Sequence, residues 1–571
     1  MPGLRQEVLK KCSLSSAHHQ QQATSSNDAC VGFWIATPEV ICPPSFDMVF
    51  TQSDFVNEIP VYDEAGNVIQ THEHAGEFKE WSGRFFPRSV GLFLDNTAQW
   101  CGEFETSMTN KAPSLIRGLG LWSAIAVIVG SMVGQAVFLV ASDMARELGS
   151  TTRVLAVWII GGILVLFGAF CYAELGAAMP AAGGDYVYLS RGLGSIWGFL
   201  YGWTASIIMR PAMAAVMATG LLRFTGFFLP SVTNPIFSWQ LTLPFQAQPY
   251  QFTFAAAQPV AAGIIVLVAA INYLGVRTAG HFQIFLTSLK VAAAVVIVIL
   301  GLTLGRLSEI HSALIAWPVQ GSISAILTAL VPAMAAYNGF QFLGNIGGEI
   351  AAPQKNIPQA AILGTLLVIS LYVLINWTYF HILGFSRVAE SQYVASDAMA
   401  LLIGSSGAKW ITVAMIVSAL GALHANFLTG PRVPFAMARD GHFFAFAKRI
   451  HPLFRTPSGA VIFQGCTAIF LVLTGTYQEL YSFDMFATWL FLALTAFALI
   501  RLRSRESDLP RPFRVWGYPW TPVLFGVVAC AIAVNLWLVR PVRSSIGLAI
   551  ILLGVPFFYH WRKPHGSQCS C

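Results

Sequence analysis

The sequence predicts an all-α membrane protein of about twelve spanning helices, with the first and sixth helices interrupted midway. Three observations carry this. Apolar residues make up 55% of the 571-residue chain and charged residues only 11%, well under the roughly 25% of a soluble domain. Apolar runs of about twenty residues recur from Leu119 onward. Two of those runs, five apart, hold clusters of glycine and polar residues at mid-length.

The charge shortfall comes first, because it removes most function classes. A surface this poor in charge does not suit a soluble protein of this size. Residues 1–110 hold 14 of the 27 acidic residues and 6 of the 33 basic ones, so the rest of the chain is strongly basic. In an apolar chain such an excess marks loops that face anionic lipid on the cytoplasmic side, and no nucleic-acid partner is implied. The nine cysteines have no metal-ligand spacing, and Cys569 and Cys571 are too close to the end for prenylation. His72-Glu73-His74 is too short a pattern to hold a metal. A P-loop, a nucleophile elbow and any catalytic set are missing from the sequence, so no enzyme, cofactor or metal centre is expected.

Residues 1–112 differ in composition from everything after them. Ser13–Ser26 is rich in Gln, Ser and His, and Val61–Glu80 is acidic. The segment reads as a poorly structured extension or as an over-extended reading frame with the native start at Met108, just before the first span. Residues 113–565 form the membrane domain and 566–571 a short tail.

The twelve runs cover roughly 119–147, 154–178, 195–229, 259–276, 281–304, 322–349, 360–384, 408–430, 458–475, 482–500, 519–539 and 544–561. Most match the helix length needed for about 30 Å of hydrocarbon. They are too long for barrel strands and lack two-residue alternation. Lys111, Arg117, Arg191, Arg277, Lys355, Arg432, Arg439, Lys448 and Arg503 fall on the same side if the N-terminus is inside, as do Arg511, Arg562 and Lys563. The opposite loops hold about half as many. Both termini are therefore expected in the cytoplasm, with the chain in the cell (inner) membrane.

Span one contains Gly130-Ser131-Met132-Val133-Gly134-Gln135-Ala136, and span six contains Ala335-Ala336-Tyr337-Asn338-Gly339-Phe340-Gln341. Glycine weakens a helix, and unwound backbone at membrane depth is tolerated where it lines a cavity. Freed N–H groups attract a carboxylate and freed C=O groups an ammonium. A zwitterionic amino acid offers both. A spacing of five spans suits a five-plus-five inverted repeat with the site at its interface. The same glycines would also serve close helix packing. The candidate binding residues are Ser131, Met132, Gly134, Gln135 and Ala136 in the first break, and Ala335, Asn338, Gly339 and Gln341 in the second.

Ionisable residues inside apolar runs are candidates for function. Lys290 lies mid-span in span five and should find oxygen partners, as a coupling residue or as a tether between helices. Arg210, before Pro211 in span three, reads as a snorkelling or paired arginine. Glu174, near the inner end of span two, reads equally as a candidate cytoplasmic gate paired with a loop arginine and as a plain solvated helix end. His424 in span eight reads as a hydrogen-bonded core histidine.

Several stretches taken in order resemble the amino acid–polyamine–organocation superfamily, and within it the L-type amino acid transporters and their bacterial relatives. They are Val129-Gly130-Ser131 through Phe138, Cys171-Tyr-Ala-Glu-Leu-Gly, Gly183-Gly-Asp-Tyr-Val-Tyr, Ile208-Met-Arg-Pro, Ala336-Tyr-Asn-Gly-Phe-Gln, Glu349-Ile-Ala-Ala-Pro, Ala436-Met-Ala-Arg-Asp-Gly-His and Arg511-Pro-Phe-Arg. The resemblance covers roughly 115–565. It implies a LeuT-type fold and alternating access. It implies that the N–H groups of Gln135 and Ala136 bind the substrate carboxylate, and that carbonyls of Met132, Ala335 and Asn338 bind the amine. It also implies that Lys290 matches the span-five lysine of sodium-independent members and that Thr488 supplies a polar side chain from span ten. Gly134-Gln-Ala-Val-Phe138 replaces the usual Gly-Ser-Gly-Ile-Phe, adding bulk at the carboxylate, and Ala335 replaces an aromatic gate. The stretch Pro230–Pro259 has no cysteine, so no disulfide-linked heavy subunit is expected. The expected function is a permease or exchanger of amino acids, neutral ones first because neither break carries an acid. A cationic amino acid or polyamine carrier and a binding sensor without transport are the alternatives.

Overall fold

The computed structural model describes residues 58–62, 68–73, 114–134, 136–138, 140–232, 234–241, 250–305, 323–475 and 477–562. Met108, His74, Gln135, Lys563 and the 566–571 tail lie outside the described residues. The chain divides into two units, Met1–Lys111 and Ala112–Cys571. In the first, β1 (Glu58–Tyr62) pairs antiparallel with β2 (Val68–Glu73), with an irregular register at Val61 and Tyr62.

The second unit is mostly helical. Its helices are α1 (Leu121–Met132), α2 (Val140–Leu148), α3 (Thr151–Ala178), α4 (Asp185–Gly192) and α5 (Ser195–Thr225). After the antiparallel strands β3 (Pro235–Leu241) and β4 (Tyr250–Ala255) come α6 (Ala257–Tyr273), α7 (Val276–Leu304) and α8 (Ile323–Ala336). Then follow α9 (Pro353–Leu383), α10 (Phe385–Glu390), α11 (Val394–Ile403), α12 (Ser405–Thr429) and α13 (Arg432–Arg439). The last four are α14 (Ser458–Thr474), α15 (Tyr477–Arg505), α16 (Trp520–Val539) and α17 (Pro541–Trp561).

Eight segments among the described residues are long and apolar enough to cross a membrane: α3, α5, α7, α9, α12 continued by α13, Phe483–Arg505 of α15, α16 and α17. Shorter apolar helices include α1, α6, α11 and α14. The apolar runs of the sequence coincide with helices, while α10 and α11 fall in a stretch between runs. The outer faces are greasy. Val295, Val296, Ile299 and Leu302 of α7 are each about half exposed, as suits a surface solvated by lipid tails. The chain is a multi-pass membrane protein.

Local sequence explains the irregular helices. In α5 the residues Ala205–Met209 widen into a π-helical turn directly before Arg210-Pro211. Proline has no N–H to donate and crowds the preceding turn, so the ladder must relax there. In α8, Pro332 weakens the last turn, and the helix ends at Ala336. The largest buried cluster joins residues of α1, α3, α8, α9 and α16, among them Ile128, Trp158, Tyr337, Tyr372 and Phe525. It holds both interrupted helices in place.

Candidate functional site

Span one is broken where the sequence places the break. Val133 leaves helical geometry at φ −75°, ψ 84°, and the chain resumes as a 3-10 turn over Ala136–Phe138 before α2. Gly134 N–H turns back to the Met132 carbonyl at 2.8 Å. In an unbroken helix it would have served Gly130, so the Gly130 carbonyl loses its normal donor. Span six breaks after Ala336, where Gly339 takes φ 137° and two 3-10 turns follow, Phe340–Asn345 and Gly347–Glu349. The second half of span six thus continues as 3-10 turns rather than as an α-helix.

The two breaks touch. A Cβ on Gly339 would sit 2.9 Å from the Ser131 carbonyl carbon and 3.0 Å from Met132 N. Only glycine combines that approach with a positive φ. Tyr372 of α9 ties the breaks from the side, with its hydroxyl 2.7 Å from the Met132 carbonyl and 3.1 Å from the Ala336 carbonyl. Trp158, Tyr337 and Tyr372 pack as an aromatic triangle with centroids 5.0–5.5 Å apart, which fixes the phenol. Replacing Tyr372 with Phe should therefore cost about 1–3 kcal/mol in stability and lower uptake several-fold, read as the melting midpoint of purified protein and as transport per molecule.

Lys290 finds the oxygen partners expected of it. Its Nζ donates to the carbonyls of Gly130 at 3.1 Å, Val133 at 2.8 Å and Ser418 at 3.1 Å, and the residue is 2% exposed. Ser418 Oγ is within donating distance of the Val133 and Gly134 carbonyls, at 3.0 and 3.2 Å. Ser131 Oγ turns back to Val127 O at 2.6 Å. The Met132 carbonyl is already engaged twice, by Gly134 N–H and by Tyr372. A carbonyl has two lone pairs, so an ammonium arriving there must displace one donor. The Ala335 carbonyl accepts Asn338 N–H at 3.2 Å. Gln341 is likewise committed: its Nε2 donates to Asn338 Oδ1 at 2.6 Å and its Oε1 accepts Gly339 N–H at 3.1 Å.

Beside the span-six break lies a cavity of about 20 Å³, lined by Gln341, Phe342, Arg210, Asp185, Asp484 and Thr488 among others. That volume suits roughly one water, so an amino acid side chain enters only if the helices move. Thr488 Oγ1 donates to Asp484 Oδ1 at 3.2 Å. Asp185 accepts Thr495 Oγ1 at 2.8 Å and the Tyr172 hydroxyl. The Arg210 guanidinium lies 3.6 Å over the Phe342 ring and is within electrostatic reach of both carboxylates. Arg210 is thus a buried residue of the site, 3% exposed, and does not snorkel. Two acids also stand at the cavity although neither break contains one; Asp185 comes from α4 and Asp484 from α15.

At one end of the bundle Glu174 is held by Arg503, with Nε donating to Oε1 at 2.8 Å and Nη2 to Oε2, and by Val515 N–H at 2.7 Å. Arg511 Nε stands 3.5 Å away. A second ion pair was not apparent in the sequence. Arg432, counted above among loop charges, is fully buried against Glu349 at 2.6 and 3.0 Å. Leu119 N–H donates to the Glu349 carbonyl at 3.0 Å and Ala351 N–H to the Leu119 carbonyl at 2.9 Å, so the start of span one is stitched to the end of span six. His424 sits in the core with Nδ1 2.7 Å from Gln283 Oε1.

The site residues that sequence reasoning missed are Tyr372, Ser418, Asp484 and Asp185. Asp484 was visible as an ionisable residue within an apolar run. Asp185 was visible only as part of a motif. Tyr372 and Ser418 carry no local signal, since tyrosine and serine are common in such runs.

Comparison with known proteins gives the family. The profile described as "Amino acid permease" matches residues 119–558. The serine/threonine exchanger SteT of Bacillus subtilis (strain 168) is 30% identical over 466 residues, covering 81% of this chain and all of that protein. The large neutral amino acids transporter small subunit 2 of Mus musculus is 30% identical over 484 residues, 82% of this chain and 85% of that one. The b(0,+)-type amino acid transporter 1 of Oryctolagus cuniculus is 31% identical over 412 residues, 71% of this chain and 80% of that one. With two interrupted helices meeting inside an apolar bundle and a match of this length, the chain belongs to the amino acid permease family, and resembles its L-type transporters.

Proposed function

We propose that this permease moves neutral amino acids across the cell (inner) membrane by alternating access, with the substrate held between the breaks of spans one and six. The observation that carries it is the contact of Gly339 with Ser131 and Met132. It brings the non-helical backbone at Gly339 against the last turn of α1, at the edge of the first break inside the bundle, as in carriers built from inverted repeats that bind zwitterions between two interrupted helices. Counting α1 with α2 and α8 with its 3-10 turns as single interrupted spans, and adding α6 and α14 to the eight long segments, gives twelve spans in a LeuT-type fold. Both termini then face the cytoplasm. The N–H groups of Gln135 and Ala136 bind the carboxylate, and the carbonyls of Ala335, Asn338 and Met132 receive the amine once Tyr372 yields. Glu174 with Arg503 and Arg511 closes the cytoplasmic end and parts when the site opens inward. No bond is made or broken in the cycle. The absence of cysteine between Pro230 and Pro259 fits a carrier without a disulfide-linked subunit, and residues 113–565 carry the whole activity.

Uptake by proteoliposomes tests this directly. Labelled neutral amino acids should accumulate saturably, and faster when the vesicles are preloaded with unlabelled substrate. Binding without flux for every amino acid tried would leave a sensor instead. Preferential flux of arginine or a polyamine would move the substrate to the cationic class.

A further inference from the structure

The cavity beside the span-six break contains an acid and a base whose hydrogen-bonding capacity is incomplete. Arg210 is 3% exposed and Asp484 1%, and both line the cavity. Arg210 Nη1 and Asp484 Oδ2 have no hydrogen-bond partner. The other carboxylate oxygen of Asp484 is occupied by Thr488, and the guanidinium face is covered by Phe342. What remains is one donor and one acceptor, each fixed by its neighbours. Buried polar atoms left unpaired are costly, so two at one small cavity mark a place where a ligand group completes the set.

The cavity's position says which ligand group. Gln341 and Phe342 lie two and three residues beyond Gly339, so a zwitterion held at the breaks would direct its side chain toward Arg210 and Asp484. We propose that these two residues read the substrate side chain and favour an uncharged hydrogen-bonding one, a carboxamide or a hydroxyl. Such a group accepts from Arg210 Nη1 and donates to Asp484 Oδ2. An aliphatic side chain would leave both atoms desolvated and unpaired, which is how polar sites reject apolar analogues. A carboxylate would face both Asp484 and Asp185, which line the cavity, and an ammonium, having donors only, would leave Arg210 Nη1 unpaired. The proposal rests on the reading of the breaks as the zwitterion site and narrows its substrates from neutral amino acids to the polar ones among them.

The full chain in detergent decides it by competition against a labelled bound amino acid. Glutamine, asparagine, serine and threonine should each displace the label at concentrations at least about tenfold lower than leucine, methionine or norleucine. In Asp484→Leu and Arg210→Met that preference should fall to near one or reverse. Equal potency of glutamine and norleucine on the unmodified protein overturns the proposal, whether or not the variants fold. So does an unchanged preference in a variant that keeps the wild-type elution profile. A cavity that serves only to hold water would give that unchanged preference. Selective binding without flux in proteoliposomes would sink the carrier reading and leave this one standing. Flux with no polar preference would do the reverse.

Discussion

Gly339→Ala is expected to reduce uptake by at least about tenfold while the protein still reaches the membrane. The new methyl would stand 2.9 Å from the carbonyl carbon and the Cβ of Ser131 and 3.0 Å from Met132 N. Two of these three atoms are backbone, so no side chain can rotate away. The residue also sits at φ 137°, a conformation that holds a residue with a Cβ only at a cost of roughly 1–3 kcal/mol. The strain is relieved either by turning the Gly339 peptide or by separating the breaks, and either shift disturbs the groups proposed to grip the zwitterion. A loss of 1.4 kcal/mol in that grip is about tenfold in affinity. The long apolar helices are untouched, so insertion should persist. Gly263→Ala is the control. Gly263 lies in α6 with nothing within 4 Å of an added Cβ, and alanine there should be neutral or mildly stabilising. The readout is initial uptake rate per molecule at matched membrane abundance. Normal uptake by Gly339→Ala would show that the breaks need not touch for transport.

The bundle was legible in the sequence because lipid imposes a simple rule: a span is apolar along its length and satisfies its own backbone. The breaks were legible because Gly130, Gly134 and Gly339 interrupt otherwise apolar runs. The cross-connections were not legible. Tyr372 reaches Met132 across 240 positions of sequence, and Ser418 reaches Val133 across 285, so no local pattern announces either bond. Charge counting misled at Arg432, because the positive-inside rule weighs residues by their place in a loop, and this arginine is drawn into the bundle by Glu349. Neutral-substrate reasoning from the breaks alone overlooked Asp484, because the pocket wall is completed by α5 and α15. The general point is physical. Periodicity and composition report what a residue faces, lipid or protein, whereas the partner of a buried polar group is set by tertiary packing.

Lys290→Met should abolish uptake with little effect on insertion, and the reason lies in the geometry of the first break. Where α1 stops, Gly134 N–H serves Met132 in place of Gly130, and the helix end presents carbonyl oxygens with no amide to meet them. The Lys290 ammonium stands in for the missing N–H groups at Gly130 and Val133, and its third bond, to Ser418, anchors α12 to the same point. A cation at a helix C-terminus also offsets the negative end of the helix dipole, by about 0.3–2 kcal/mol depending on burial. Methionine matches the length of the stem and removes the charge and all three bonds. Val133 keeps Ser418 Oγ, so the Gly130 carbonyl is the one stranded, at about 1–3 kcal/mol. Closing the helix through Gly134 would relieve it, and that closure erases the break on which the proposed binding depends. Lys290→Gln, which keeps two donors on a shorter stem, should recover part of the uptake. Lys290→Arg should not, because a planar fork does not fit carbonyls arrayed around a point. The decisive measurement is counterflow in proteoliposomes at equal protein load. Wild-type exchange by Lys290→Met would mean that the break holds its shape without the ammonium, and the lysine would then be a tether between helices and nothing more.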